Sequence, residues 1–548
     1  MFSTKILNSF AVLTLIMALS GCGGGSLSNS TDEIVEDNAS SELIEEILDE
    51  NTTTQTIENN VSSELVEEIV DDFVFYQGVK LYASKSLGNS DFKLDPITDE
   101  DFNNLKYENK LLVANKLHTA LFSGVPKQTL DAQISSSTFI SDLFAKLQEA
   151  NSDATSVEET IAQKEYNYYN EEREKILARL FHMKLGKHYV NRWSAYVLTQ
   201  SIMFSPAFEL DTVGSADITN VYNDLVINMD NDYTMEMITY LHMTSDNNWK
   251  RFRSPEDNGR EMLEIFLHDF NDSHVPKAAI TLKNWRLDRD DKELIVGLNK
   301  NTDPQELFDI NVTTGIDFYR ELVNYKKFKE GVVKRLVELY FGAYEESQKE
   351  QIIQNILSSK AERFQDVLLQ IIFSKEFLFH VQRVKTFEEA TYSIAKRINF
   401  YDYIRFFQDF RDAIDKSNQS SMKYKLGRSV TAPIDTLSFS NFYGFMHKRI
   451  LLDYRSNTMS EWDSGWDVSF IDKSIPNTST PSSFIEYLFL TLLSRYPTQE
   501  ELNMLLDYSL EKGYENVTII NNRQNIALIV LEYISRLTEL YAYKTIEG

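Results

Sequence analysis

Apolar residues recur every three or four positions along most of the chain from residue 76 onwards, which places them on one face of an α-helix. This periodicity predicts helices over residues 111–122, 171–183, 189–203, 259–270, 331–341, 364–373, 484–493 and 526–541. Sustained alternation with a period of two, which is typical of half-buried strands, is scarce. We therefore predict an all-α fold built as an array of many helices.

Three short sequences carry residues that begin helices. Residues 254–257 read Ser-Pro-Glu-Asp, which is an N-cap serine, a proline at the first helical position and acidic residues in the first turn. Residues 303–306 read Asp-Pro-Gln-Glu and repeat this order. Residues 498–501 read Thr-Gln-Glu-Glu, the sequence form of a capping box. Helices are therefore predicted to begin at all three places.

The C-terminal part of the chain repeats an order of helices that occurs earlier. One set of three helices is predicted over residues 333–341, 349–357 and 364–379, and the other over 484–493, 502–510 and 526–541. Both third helices end in an apolar and aromatic tail. We interpret the two sets as a duplicated three-helix module. We predict that the body consists of a helical domain over 76–400 and a C-terminal helical module over 401–548.

Residues 1–21 have the features of a secretory signal peptide. A start that contains Lys5 is followed by an apolar run over residues 6–19, which is too short to span a bilayer. The run leads into Leu-Ser-Gly-Cys, and Cys22 is the single Cys of the chain. This ending resembles the lipobox of bacterial lipoproteins, in which the Cys receives a diacylglycerol thioether, the peptide is cut just before it and the new amine is acylated. The resemblance implies lipid attachment at Cys22, whereas a chance Cys after an ordinary signal peptide is the alternative.

A lipid on Cys22 would make the membrane a partner, because several acyl chains on one residue form a stable anchor. The expected location is the cell envelope, at the outer membrane and facing the periplasm or the cell surface. Residue 23 is Gly rather than the Asp that resembles an inner-membrane retention signal in enteric bacteria.

Residues 22–75 are predicted to be an acidic, flexible and disordered tether. Residues 23–72 contain 15 acidic residues and no Lys or Arg, which is more than half of the net charge of −28. Two similar sequences, 40–50 and 62–72, have apolar residues at helical spacing, so each is compatible with a short amphipathic helix. Because 11 residues are marginal for an isolated helix, we favour a self-repelling spacer over segments that fold in a partner's groove.

The composition limits the chemistry that the chain can perform. A net charge of −28 excludes a nucleic-acid partner, which needs a basic surface. A single Cys excludes a disulfide framework and any multi-cysteine metal site. His182 and His188, like His268 and His274, are six residues apart and do not share a helical face, so we expect solvated or capping residues. Residues 228–232 begin like a calcium loop but lack its later Gly and Glu. We predict no metal and no cofactor.

Residues 256–265 read Glu-Asp-Asn-Gly-Arg-Glu-Met-Leu-Glu-Ile. This sequence resembles the signature Glu-Asn-(aromatic)-Ala-Arg-Glu-Leu-Leu-Glu-Leu of the bacterial family called domain of unknown function 1800. Residues 111–124, 218–241, 278–286 and 364–385 resemble the helices and segments that surround this signature. The resemblance covers roughly residues 100–400 and implies a secreted, helical protein without an established activity.

The chain departs from this family at three positions of the signature helix. Asp257 replaces an Asn, Gly259 replaces an Ala, and Phe266 stands where the family usually has a His. The loss of that His removes the best candidate for a catalytic group on this helix.

The signature also contains a ladder of polar residues. Glu256, Arg260, Glu264 and His268 are spaced by four, so they form one stripe of a helix, and Glu261 lies beside it. The neighbouring apolar residues cover most of the remaining circumference. We therefore expect the helix to be central, the ladder to be at least partly buried, and its role to be structural rather than catalytic.

Trp462 and Trp466 stand beside carboxylates in a polar stretch over residues 456–483. Such Trp side chains can stack on a sugar ring, although packing onto the core is the commoner role of a loop Trp. The predicted function is a non-catalytic helical scaffold or a protein that docks an envelope protein partner. The alternative is a hydrolase or binding protein that acts on envelope polysaccharide.

Overall fold

Helices dominate the structure, as the periodicity of the sequence predicts. The fold was obtained as a computed structural model that describes residues 67–70, 73–150, 172–203, 216–252, 254–267, 270–288, 293–297, 303–402, 405–416, 436–455, 465–467 and 480–546. These residues form an all-α array with a few short strands, which confirms the predicted fold class. Cys22, His268 and Trp462 lie outside the described residues.

The helices divide into an earlier and a later group along the chain. The earlier helices are α1 (Asp99–Asn103), α2 (Tyr107–Ala120), α3 (Lys127–Ile134), α4 (Phe139–Gln148), α5 (Glu172–His182), α6 (Lys187–Ser201), α7 (Ala216–Asp230), α8 (Met235–Met243), α9 (Asp246–Arg251), α10 (Pro255–Phe266) and α11 (His274–Leu282). The later helices are α12 (Gly315–Asn324), α13 (Phe328–Phe341), α14 (Glu346–Ser358), α15 (Phe364–Ile372), α16 (Phe387–Arg397), α17 (Phe406–Lys416), α18 (Thr436–Phe445), α19 (Pro481–Leu493), α20 (Gln499–Glu511) and α21 (Ile520–Ile534). Short 3-10 or π turns occupy Asn89–Asp91, Glu376–His380, Met446–Leu451 and Thr538–Leu540.

The strands are short and form four small sheets within the described residues. They are β1 (Glu67–Val70), β2 (Phe73–Tyr76), β3 (Val79–Lys80), β4 (Trp285–Leu287), β5 (Leu294–Val296), β6 (Gln305–Leu307), β7 (Ile310–Val312), β8 (Phe400–Tyr401), β9 (Tyr454–Arg455) and β10 (Gly465–Asp467). Two sheets have three strands, in the orders β1-β2-β3 and β8-β10-β9, and β4-β5 and β6-β7 are two-stranded pairs.

Each of the eight stretches with helical periodicity overlaps an observed helix. Two of the predicted starts are confirmed by their caps. The Ser254 hydroxyl accepts the Asp257 N–H at 3.1 Å, and the Thr498 hydroxyl accepts the Glu501 N–H at 3.2 Å. The carboxylate of Glu501 in turn accepts the Thr498 N–H at 2.7 Å, which completes the capping box.

The helix predicted to begin at residue 303 is wrong, because this segment forms the antiparallel pair β6-β7. Phe308 and Asp309 connect the strands with φ angles of 56° and 64°, the left-handed pair that a two-residue hairpin turn requires. Leu307 and Val312 are fully buried. The local cap signal gave way because the strands place these two apolar side chains in the core.

Strand structure begins inside the segment predicted as tether. β1 pairs antiparallel with β2 in a register that places Glu67 opposite Tyr76 and Val70 opposite Phe73. Residues 67–70, which belong to the second acidic repeat, are therefore extended rather than helical. The first repeat lies outside the described residues.

The two three-helix modules share the contacts of their first helix. In one, α13 contacts both α14 and α15, and in the other, α19 contacts both α20 and α21. In each, the turn after the first helix holds the segment after the third through a carboxylate. Tyr344 donates to Glu376 at 2.7 Å, and Arg495 donates to Glu539 at 2.8 Å. The predicted duplication is therefore present in the fold.

The central helix α2 connects the beginning of the body to its end. Lys116, which is 2% exposed, donates to the carbonyl oxygens of Leu378, Val381 and Lys544 at 2.9–3.1 Å. Arg397 of α16 donates to a carbonyl of α2 and to a carbonyl of α19. These contacts fix the position of α2, whose last turn carries a residue of the site described below.

Candidate functional site

The polar ladder of α10 faces solvent, so the expectation that it is partly buried is wrong. Glu256 and Arg260 have side chains that are 69% and 46% exposed, and their nearest charged atoms are 3.9 Å apart. Glu264 is also exposed, and Glu261 is half-buried. α10 ends at Phe266. The apolar residues of α10 cover only the opposite side of the helix, so the ladder is a solvated face.

The buried face of α10 explains two departures from the family signature. A Cβ on Gly259 would lie 2.8 Å from the Cβ of Ala278 on α11, so the small residue allows the two helices to approach closely. Phe266 is fully buried and its ring packs 6.3 Å from the ring of Phe328. Gly259 and Phe266, two of the residues that differ from the signature, therefore serve helix packing.

Trp466 is fully buried, and its indole N–H donates to the Leu451 carbonyl at 2.9 Å. A ring in this position cannot stack on a sugar at the surface, so the glycan-stacking hypothesis is wrong for Trp466. The strand pairing of β10 with β8 and β9 carries this side chain into the core.

His182 and His188, which are 24% and 39% exposed at their side chains, each lie beside an aspartate. His188 Nδ1 lies 3.1 Å from Asp230 Oδ1. His182 Nε2 lies 3.1 Å from Asp402 Oδ2, and Asp402 is 5% exposed. Among the residues that the structure describes, no three His, Cys, Asp or Glu side chains come together as a metal site would require. No described helix combines the length and the apolar character that crossing a bilayer requires.

A cavity of about 360 Å³ lies beside the last turn of α2. Its wall comes from six segments: α2, the turn over residues 123–125, α3, α4, residues 181–185 at the end of α5, and α16. Phe139, Leu143 and Phe181 form apolar wall and are each at most 7% exposed. The volume is within the range of small-molecule sites.

His118 is the most deeply buried polar residue among the described residues of this wall. It is 2% exposed, and neither of its ring nitrogens makes a hydrogen bond with the described residues. The side-chain oxygen of Gln133, which also lines the cavity, is buried without a hydrogen bond as well. Gln133 is near enough to favour the protonated imidazole, and it can pair with at most one ring nitrogen. Buried polar groups are nearly always satisfied, so the other ring nitrogen indicates a place for a polar group of a ligand or water.

Burial lowers the pKa of His118 to about 4, and the positive charges of Arg397, Lys396 and Lys146 add to this effect, while Gln133 opposes it. The imidazole is therefore neutral at pH 7. It presents one N–H donor and one acceptor nitrogen to its surroundings.

Lysines outnumber carboxylates around the cavity. Among the described lining residues, Lys146, Lys184 and Lys396 stand against one carboxylate, that of Asp142. Lys146 and Lys184 are exposed, whereas Lys396 is half-buried and its ammonium lies 5.5 Å from the centre of the Phe181 ring. Burial lowers the pKa of Lys396 to about 8, so the side chain is still mainly charged at pH 7. The cavity is thus locally positive in a chain whose net charge is −28.

His182 brings a second kind of chemistry to the cavity wall. Its ring packs edge-to-face on Phe181 and Phe407, at centroid distances of 5.2 and 6.0 Å. Asp402 orients the imidazole from the other side, which is the arrangement that a general base would need. Ser123 and Ser136 also line the cavity.

The sequence-predicted residues do not meet at this cavity. The ladder of α10 and Trp466 are not among its lining residues, whereas His182 was considered only as a solvated or capping residue. His118, Lys396 and Gln133 come from three different helices, and no sequence motif joins them. Comparison of the chain with protein-family models, with curated proteins and with solved structures finds no match.

Proposed function

We propose that this protein is a lipoprotein of the bacterial cell envelope whose helical body binds a small molecule without transforming it. The acyl anchor is on Cys22, and the acidic segment that follows places the body away from the membrane surface. The ligand occupies the cavity beside α2. An envelope protein partner would bind the helical body when the ligand occupies the cavity.

The observation that carries the binding role is His118. A polar side chain that is 2% exposed, lines a cavity and leaves at least one ring nitrogen without a hydrogen bond among the described residues is costly to bury. A bound molecule would supply the missing partners. The apolar wall around it would supply most of the contact area, as in other small-molecule sites.

Lipid attachment is supported by the position of the single Cys at the end of a lipobox-like sequence. Cells that express Cys22→Ser should release the protein from the membrane fraction, and the variant should not incorporate labelled palmitate. A variant that pellets with membranes as fully as the parent contradicts the anchor.

Ligand binding is tested by native mass spectrometry of protein purified from its own host. The parent should carry a bound small molecule, while Leu143→Trp and Leu185→Trp, which fill the cavity from two sides, should not. Helical circular dichroism establishes that each variant is folded. If the parent carries nothing, or if the filled variants carry the same molecule, the binding role is refuted.

A hydrolase acting on envelope polysaccharide is the second candidate, and the His182–Asp402 pair favours it. In this role His182 would activate a water or a serine hydroxyl at the cavity. His182→Gln would then abolish release of reducing ends from envelope glycans while the melting temperature stays close to that of the parent. The packing of His182 between two Phe rings favours the structural role of the pair.

A further inference from the structure

We propose that the ligand of the cavity beside α2 is a small monocarboxylate with an apolar body. This inference rests on the proposed binding function and names its ligand class. It follows from the positions of the donors, the sign of the charges and the nature of the wall.

The donors at the cavity suit one carboxylate group. His118 offers a buried N–H, and Lys396 offers an ammonium that no carboxylate pairs with among the described residues. An anion would accept hydrogen bonds from both groups, and charge-assisted hydrogen bonds are strongest where water is excluded. A phosphate has more oxygens to satisfy and usually recruits Arg, and no Arg lines this cavity.

The charges of the described lining residues favour an anionic over a cationic ligand. Lys146 and Lys184 are exposed lining residues, so they sit where a ligand would enter. Lys146 and Lys396 place positive charge at the described wall, and such charge attracts anions. Asp142, the one lining carboxylate, already accepts the Thr138 hydroxyl at 2.8 Å.

The remaining wall suits an apolar body. Phe139, Leu143, Phe181, Met183 and Leu185 line the cavity with apolar side chains. A volume of about 360 Å³ is near the lower end of small-molecule sites. The ligand is therefore a short-chain or single-ring acid rather than a sugar or a long lipid.

The test uses three probes with the same tail and different heads: octanoate, octanol and octylamine. The protein is the chain with Cys22→Ser, which removes the acyl anchor without deleting a residue. Dissociation constants come from calorimetry at pH 7. The methyl resonance of Met183, assigned with Met183→Leu, reports whether the probe enters this cavity.

Octanoate should bind at least about tenfold more tightly than octanol, because only its head gains charge-assisted hydrogen bonds. Octylamine should bind most weakly. Lys396→Met and His118→Phe should each weaken octanoate binding about tenfold and leave octanol within about twofold. Lys326→Met is the matched control, since this lysine is 73% exposed and does not line the cavity, and it should bind like the parent.

Other outcomes overturn the inference. If octanol or octylamine binds as tightly as octanoate, the cavity binds small molecules but the ligand class is wrong. If Lys396→Met and Lys326→Met bind octanoate equally well, the lysine head site is wrong. If no probe shifts the Met183 signal, the carboxylate proposal fails, and the native mass spectrum separately decides whether any ligand is bound.

Discussion

At the scale of single residues, Gly259 shows how close packing can require the absence of a side chain. The space that a Cβ would occupy is 2.8 Å from the Cβ of Ala278, so Gly259→Ala forces α10 and α11 apart. We expect a loss of about 1–3 kcal/mol, as for other overpacked cores. The free energy of unfolding in urea measures it.

Gly444→Ala is the matched control, because Gly444 also lies in a helix but has no atom within 4 Å of the added Cβ. It should be neutral or stabilising by up to about 1 kcal/mol, since alanine is the better helix former. The double variant Gly259→Ala with Ala278→Gly should recover much of the loss. Failure of this rescue would show that the contact with Ala278 is not the cause.

His118 should make the protein sensitive to acid. Its pKa is about 4 in the folded chain and about 6.5 when unfolded, so the unfolded chain binds more protons between these pH values. The stabilisation is complete above pH 6.5 and is lost as the pH falls towards 4, by about 3 kcal/mol in total. The lowered pKa of His242, also about 4, acts in the same direction. Burial raises the pKa of Asp224 to about 6, which opposes part of the effect.

Melting temperatures at pH 7 and pH 5 test this prediction. The parent should lose stability at pH 5, and His118→Gln should lose clearly less between the two pH values, whatever its absolute stability. His380→Gln alters an exposed histidine and should behave like the parent. Equal losses in all three proteins would contradict the role of His118.

At the scale of elements, the ion pairs of α10 and α15 differ in burial and therefore in energetic weight. Arg260 and Glu256 are exposed and their charges are 3.9 Å apart, so the pair contributes at most about 0.5 kcal/mol. Arg363 and Asp366 are buried and form two hydrogen bonds at 3.1 and 2.6 Å. Removing Arg363 leaves a buried carboxylate without its partner, at about 3–5 kcal/mol.

Arg260→Ala and Arg363→Ala form a matched test of this difference. The first should melt within about a degree of the parent, and the second should melt several degrees lower. Comparable losses would show that the ladder of α10 contributes more than its exposure allows. Such comparable losses are what a buried ladder would give.

The elements also show where local signals stop being sufficient. The cap residues at 254 and 498 begin helices because long amphipathic runs follow them. The similar residues at 303 precede Leu307 and Val312, which reach the core only as strands. A cap signal therefore determines an element only when the burial pattern after it has the same period.

At the scale of the whole molecule, the part of the acidic segment that precedes β1 should be dispensable for folding. Residues 23–60 have almost no aromatic surface and a charge that opposes compaction. Their deletion should leave the melting temperature of the body within about a degree. A larger loss would mean that the segment docks on the body.

A longer deletion to residue 72 also removes β1, which pairs with β2 over four residues. This deletion should lower the melting temperature more than the shorter one, because the N–H and C=O groups of β2 lose their partners. If both deletions melt alike, β1 contributes nothing to stability.

The sequence by itself determined the helical class, the positions of the main helices, the duplicated module and the caps at residues 254 and 498. These features depend on residues that are close in sequence, since periodicity and capping act over one or two turns. The lipobox-like ending at Cys22 is local in the same sense, and lipid attachment there stays a prediction.

Only the tertiary structure decided which polar residues are buried and which line the cavity. The ladder of α10 and Trp466 were visible in the sequence, but burial placed the first in solvent and the second in the core. His118, Gln133 and Lys396 carry no common spacing, because the packing of α2, α3 and α16 brings them together. Desolvation and unsatisfied hydrogen bonds arise from distant neighbours, so a pattern of adjacent residues contains no record of them.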